Sequence, residues 1–199
     1  MNFLAHAYLS PSNARVQIGN LLGDTVKGRV MSGVGPAVRE GVMLHRRIDM
    51  FTDAHPEIAI LVELFRPQLG RFSPIAVDVI LDHFLAKNWE KFAPIPLANF
   101  VQVLFRSFHQ ISAELPQRTK WLGTVMDQRG WLLEYQTLNG LEHILRQMSQ
   151  RIDNRVELYT VIPTLELNYQ RVYTHFELFF SELQTEFSPD WKKDERFTL

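Results

Sequence analysis

Apolar residues recur at intervals of three and four along most of the chain, and no run alternates apolar with polar as a half-buried strand would. The pattern predicts an all-α fold. Val16, Ile18, Leu21 and Leu22 form the first periodic run, with Ser10 and Ser12 offering caps before it. Gly28, Gly33, Gly35 and Pro36 then mark a loop. Val38, Val42, Leu44, Ile48 and Phe51 place a helix over Ala37 to Met50, and Pro56 stands at or near the start of the next one. That helix covers Ala59 to Phe65, ended by Pro67 and Gly70. Ser73 followed by Pro74 reads as an N-cap with proline at the first helical position. The run behind it, from Ile75 to Leu85, is apolar on most sides, which marks a central helix. Further helices are predicted near Leu97 to Gln110, Pro116 to Gln128, Asn139 to Arg151 and Thr164 to Glu186, with a short break at Ala93 to Asn99.

A length of 199 residues suits a single helical domain over 1–199, with its motifs in 1–90 and a packing or docking half over 97–190. The 21 Lys and Arg nearly balance the 22 Asp and Glu, which argues against general nucleic-acid binding. No cysteine is present, so thiolate metal sites and disulfides are excluded. The start MNFLAHAYLS lacks a secretory pattern and no run is long enough to span a membrane, so a cytoplasmic protein without a membrane partner is expected.

Acids and imidazoles come in clusters. His45, Asp49, Asp53 and His55 fall within eleven residues, with Arg46 and Arg47 among them, and Asp78, Asp82 and His83 fall within six. Oxygen and imidazole donors without sulfur suit magnesium, manganese, iron or zinc in hydrolytic chemistry. His45 and Asp49, four apart, share a helix face and can reach one ion, or they can form an exposed pair. Asp78 lies where an acid complements a helix dipole. Asp82 and His83 lie deeper in the apolar run, where a cation would neutralise the carboxylate that burial penalises. Asp24 after Gly23 is by spacing alone a turn residue, and His6 among apolar neighbours is by itself a core histidine. His109, His143 and His175 read as structural, and Trp89, Phe92, Phe100, Phe105 and Phe108 as core. Phe176, Phe179, Phe180 and Phe187 suit either a core or the cover of a ligand channel.

The strings MNFLAHAYLS, IGNLLGDTVKG, GVMLHRRIDMFTDAHP and DHFLAKNW resemble signature blocks of the acyl carrier protein phosphodiesterases, which are similar to a divergent branch of the HD-type metal-dependent phosphohydrolases. The resemblance implies an HD-like helical fold and a divalent ion, manganese first, with magnesium or iron as alternatives. It implies holo-acyl carrier protein as substrate, with apo-protein and 4′-phosphopantetheine as products, and hence a place in fatty acid and lipid metabolism. The adjacent pair here reads Asp82 then His83, the reverse of the HD order. Carried onto this chain, the resemblance implies Asp24, His45, Asp82 and His83 as ligands, with His6 and Asp49 next, and Asp53, His55 and Asp78 as orienting or acid–base groups. Phosphodiester chemistry also needs cations for the non-bridging oxygens, for which Arg46, Arg47 and Lys27 are candidates, and a proton for the leaving oxygen, for which His55 is one. An acidic carrier protein calls for a basic face, from Arg15, Lys27, Arg29 and Arg39 or from Arg146, Arg151 and Arg155. Two other readings stand beside this one: a phosphohydrolase of nucleotides or other small phosphoesters, and a non-catalytic helical binding module.

Overall fold

Two glycines decide how the first helices meet. In the computed structural model, which describes residues 2–28, 33–152, 155–190 and 194–197, α2 (Ala14–Leu21) packs along α3 (Pro36–Ala54). A Cβ on Gly19 would lie 2.2 Å from the Val38 carbonyl oxygen, and one on Gly41 would lie 2.1 Å from that of Val16. The backbones therefore touch, and α3 is held close enough for its side chains to reach the main chain of α2.

The remaining helices are α1 (Phe3–Tyr8), α4 (Pro56–Leu69), α5 (Ser73–Lys87), α6 (Trp89–Phe92), α7 (Leu97–Ile111), α8 (Gln117–Gln128), α9 (Trp131–Glu134), α10 (Leu138–Arg151), α11 (Ile162–Leu167) and α12 (Tyr169–Phe187). No strand occurs among the described residues, so the fold is all-α. A single cluster of buried apolar side chains runs from Phe3 to Phe197 and draws on both halves of the chain. Its centre is α5, buried without interruption from Val79 to Ala86. Among the described residues, no helix is long and apolar enough to cross a membrane. Phe176, Phe179 and Phe180 are core, while half-buried Phe187 lies edge-on to Phe51 and under the Arg47 guanidinium.

Some boundaries differ from the sequence pattern. The short α1 carries no periodic signal of its own and is made by its ends: Asn2 Oδ1 accepts from Phe3 N at 2.9 Å, and Asp82 accepts from Leu4 N at 2.7 Å and Ala5 N at 3.2 Å. The first amides of the helix, which have no partner within it, are thereby satisfied. The cap of α2 is Asn13 rather than a serine. Ser73 is the first residue of α5 and bonds back to the Gly70 carbonyl instead of capping. Pro67 does not end α4, which continues to Leu69, because a proline in the last turns removes only one helical bond; the chain turns at Gly70, where φ is 54°. The last predicted helix is two, separated at Asn168. Gly28 and Gly33, at φ 82° and 87°, flank the predicted loop, whose middle lies outside the described residues.

Candidate metal centre

Helix α3 brings His45 and Asp49 onto one face, as their spacing requires. His45 Nε2 lies 3.2 Å from Asp49 Oδ2 and 3.3 Å from Asp24 Oδ1, the latter carried by the turn after α2. Helix α1 delivers His6, whose Nε2 lies 3.1 Å from Asp49 Oδ1 and whose ring stacks on that of His45 with centroids 3.8 Å apart. Among the described residues, His6, His45 and Asp49 are the one group of three metal-capable side chains whose ligand atoms all lie within 4.8 Å of one another. Asp24 closes the outer side, with its side chain 77% exposed.

The state of the two imidazoles follows from their other nitrogens. His45 Nδ1 faces the Asn20 carbonyl oxygen at 2.7 Å, which can only accept. His6 Nδ1 faces Asn20 Oδ1 at 3.0 Å, and the orientation of that amide is fixed because its Nδ2 donates to the His6 carbonyl and to Ser10 Oγ. Both Nδ1 atoms therefore donate, and in the neutral ring each Nε2 presents a lone pair. These lone pairs meet carboxylate oxygens, and both Nε2 atoms are buried without a hydrogen-bond partner among the described residues. Acceptors facing acceptors in a buried site repel unless a proton or a cation lies between them. Burial and the neighbouring His45 push His6 down to about 4, so it offers no proton near neutrality. Burial also lowers His45, but Asp24 and Asp49 outweigh it and the net shift is upward. Asp24 is held below the usual carboxylate range by His45, and Asp49 by both imidazoles against the opposing effect of burial. Two imidazoles oriented by a shared asparagine, with two low-pKa carboxylates, fit a divalent cation.

The other half of the expected ligand set is not brought here. Asp82 spends its oxygens on the amides of Leu4 and Ala5, and burial raises it to about 7. It fixes α1, and through α1 it places His6. His83 is turned to another side of α5, where Nδ1 donates to the Tyr135 carbonyl at 2.7 Å and Nε2 accepts from the Tyr169 hydroxyl at 2.8 Å. With both nitrogens occupied, and its pKa lowered to about 4 by burial, it is a packing residue. The structure does not bring this adjacent pair to the His6–His45–Asp49 cluster, because consecutive residues on a helix face different neighbours.

The expected catalytic groups are similarly sorted. Arg46 donates to the carbonyls of Val26 and Gly28 at 3.2 and 3.0 Å, bracing the segment that follows Asp24 rather than presenting a free cation. Buried His55 caps α4, accepting from Glu57 N at Nδ1 and donating from Nε2 to Glu182 at 3.2 Å, so it is committed to structure. Asp53 is exposed, and with half-buried Asp78 and Arg66 it lines a separate hollow of about 370 Å³. Burial raises Asp78 to about 6. Lys27 is exposed near Asp24. Of the proposed docking cations, Arg15 pairs with Glu114 and Arg146 with Glu142, Arg39 is exposed, and Arg29 and the side chain of Arg151 lie outside the described residues. Asn20 was missed by the sequence reading; its one signal is an amide set beside Ile18, Leu21 and Leu22.

The molecule is thus an all-α protein with a histidine–aspartate centre suited to a hard divalent metal. The chain belongs to the acyl carrier protein phosphodiesterase family, whose model matches residues 1–183. It is 33% identical to the acyl carrier protein phosphodiesterase of Klebsiella pneumoniae subsp. pneumoniae over 184 residues, 92% of this chain and 95% of that protein. It is 32% identical to the protein of the same description from Enterobacter sp. (strain 638), over 94% of this chain and 97% of that one, and 32% identical to that of Escherichia coli K12, over 94% and 98%. No solved structure matches.

Proposed function

We propose that this protein is a divalent-metal-dependent phosphodiesterase that hydrolyses holo-acyl carrier protein to apo-acyl carrier protein and 4′-phosphopantetheine. Family membership over nearly the whole chain supports the substrate, and the paired, buried Nε2 atoms of His6 and His45, facing carboxylate oxygens, support the metal. His6, His45 and Asp49, with Asp24 on the solvent side, would hold the ion, manganese being the first candidate and magnesium or iron the alternatives. When bound, such an ion supplies Lewis-acid stabilisation of phosphoryl oxygens and lowers the pKa of water.

The protein's own groups do the positioning. Asn20 sets both imidazole tautomers, Asp82 anchors the helix that carries His6, and Arg46 holds the segment behind Asp24. Lys27 is the sequence-nominated cation left in reach of Asp24 to meet a phosphate oxygen. Exposed Arg39 and Lys27 would face an acidic carrier protein, and the reaction would take place in the cytoplasm as part of lipid metabolism.

Mass spectrometry of holo-acyl carrier protein incubated with the purified enzyme tests this directly. Conversion to the apo form with manganese and none with EDTA is expected. Nucleotide hydrolysis with an intact carrier would favour the small-phosphoester alternative.

A further inference from the structure

Beside the metal centre lies a hollow of about 450 Å³, within the roughly 300–1,000 Å³ usual for small-molecule sites. Asp24 belongs to both, so the hollow opens directly onto the outer side of the centre. Its opposite wall comes from α8, in the half of the chain that the sequence motifs do not reach. Thr25 and Thr119 join the two walls, their hydroxyl oxygens 2.6 Å apart, which ties the segment after Asp24 to α8.

The lining is amphipathic in a particular way. Phe3 and Leu122 offer apolar surface, while Trp121 stands at the hollow with 57% of its surface exposed and no aromatic partner among the described residues. Arg118 and Lys27, from the two walls, form no ion pair among the described residues. Asn2 supplies a further polar group: its Oδ1 is used by Phe3 N, but its Nδ2 is buried with no acceptor among the described residues. A buried amide donor without a partner is costly, and its presence on the wall of a cavity marks a place where a ligand acceptor belongs.

We propose that this hollow receives the phosphopantetheine arm, with the phosphate at the Asp24 end between Lys27 and Arg118, Asn2 Nδ2 donating to a carbonyl or hydroxyl oxygen of the arm, and Trp121 laid over its aliphatic part. The ligand class is an anionic phosphoester on a flexible chain of small apolar groups and amides, for which the lining offers two cations, apolar surface and one unpaired amide donor. This rests on the carrier-protein activity proposed above, and it makes α8 a specificity element of that site. An exposed indole beside two cations without an ion pair among the described residues suits a slender anionic chain.

Two measurements on the full chain separate this inference from the activity it rests on. In the first, tryptophan emission is followed while free 4′-phosphopantetheine, pantetheine or inorganic phosphate is added. The wild type should respond to 4′-phosphopantetheine at the lowest concentration, to pantetheine at a higher one and to phosphate without saturation. The response should vanish in Trp121→Phe, which removes the reporter and leaves the other tryptophans. In the second, steady-state hydrolysis of holo-acyl carrier protein by Trp121→Ala should show KM raised about tenfold or more with kcat within about twofold, the split expected when a ground-state contact remote from the reacting bond is removed, while Arg118→Ala, which loses a contact to the reacting phosphate, should lower kcat/KM by about tenfold or more. Trp121 and Arg118 lie at the surface, so both variants should keep the wild-type melting profile. Wild-type emission that does not respond to 4′-phosphopantetheine, or kcat/KM equal to wild type in both variants, overturns the proposal. A wild-type enzyme that leaves the carrier intact defeats the activity, and the titration with free 4′-phosphopantetheine then decides the hollow alone.

Discussion

Replacing Asn20 by alanine should weaken metal binding without touching a ligand. The side chain accepts from His6 Nδ1 at 3.0 Å and donates to the His6 carbonyl at 2.6 Å and Ser10 Oγ at 3.0 Å, all in a fully buried setting. The substitution orphans the His6 Nδ1–H, at a cost of about 1–3 kcal/mol, and removes two further bonds worth about 1 kcal/mol each. Ser10 still donates to the His6 carbonyl, so a total of about 2–4 kcal/mol is expected. The effect on the metal is separate. His6 loses the acceptor that fixes its tautomer and ring orientation, whereas His45 keeps its own, because that acceptor is the backbone oxygen of Asn20. Half of the imidazole pair stays oriented, and affinity should fall about 10–100-fold rather than vanish. Titration of chelated protein with manganese in a calorimeter, at a temperature where circular dichroism shows the variant folded, gives the affinity directly. An unchanged affinity in Asn20→Ala would refute the tautomer reasoning from which the site is built.

Other variants separate ligands from packing residues. His83→Gln should lose about 2–3 kcal/mol in urea unfolding, since it disturbs the Tyr135 carbonyl and the Tyr169 hydroxyl, yet bind manganese with wild-type stoichiometry. The same histidine predicts a pH dependence. Its folded pKa is about 4 against 6.5 unfolded, so between those values the unfolded chain holds the extra proton and stability falls as pH falls, by about 3 kcal/mol in all. In chelated protein, urea unfolding at pH 7 and at pH 4.5 should differ more for the wild type than for His83→Gln; equal differences would contradict the assignment. Gly23→Ala would set a Cβ 2.5 Å from His45 Cγ, and should cost about 1–3 kcal/mol and displace the ring, so metal affinity should drop in calorimetry although no donor is removed.

The helical fold was readable because its signal is local. Spacing alone placed His45 and Asp49 on one face, whereas Asp24 was by spacing only a turn residue and was nominated by the family resemblance. What spacing could not supply was the neighbour across the fold. Asp82 and His83 look like a ligand pair in sequence, but the partners that occupy them are the amides of Leu4 and Ala5 and the groups of Tyr135 and Tyr169, all more than fifty residues away along the chain. Asn20 was invisible for the converse reason: its importance lies in a main-chain oxygen that any residue possesses and a side-chain amide that gains meaning only once α1 and α3 converge on it. His55, in a cluster rich in acids, was drawn into α4 as its cap by local geometry that the motif does not encode.

The most direct test is a manganese titration followed by electron paramagnetic resonance on the wild type, His6→Ala, His45→Ala, Asp49→Ala and His83→Gln. One tightly held ion in the wild type and in His83→Gln, with loss of tight binding in the other three, is the expected result. Tight binding that persists in His45→Ala and Asp49→Ala, or that disappears in His83→Gln while the protein stays folded, would place the metal elsewhere on the chain.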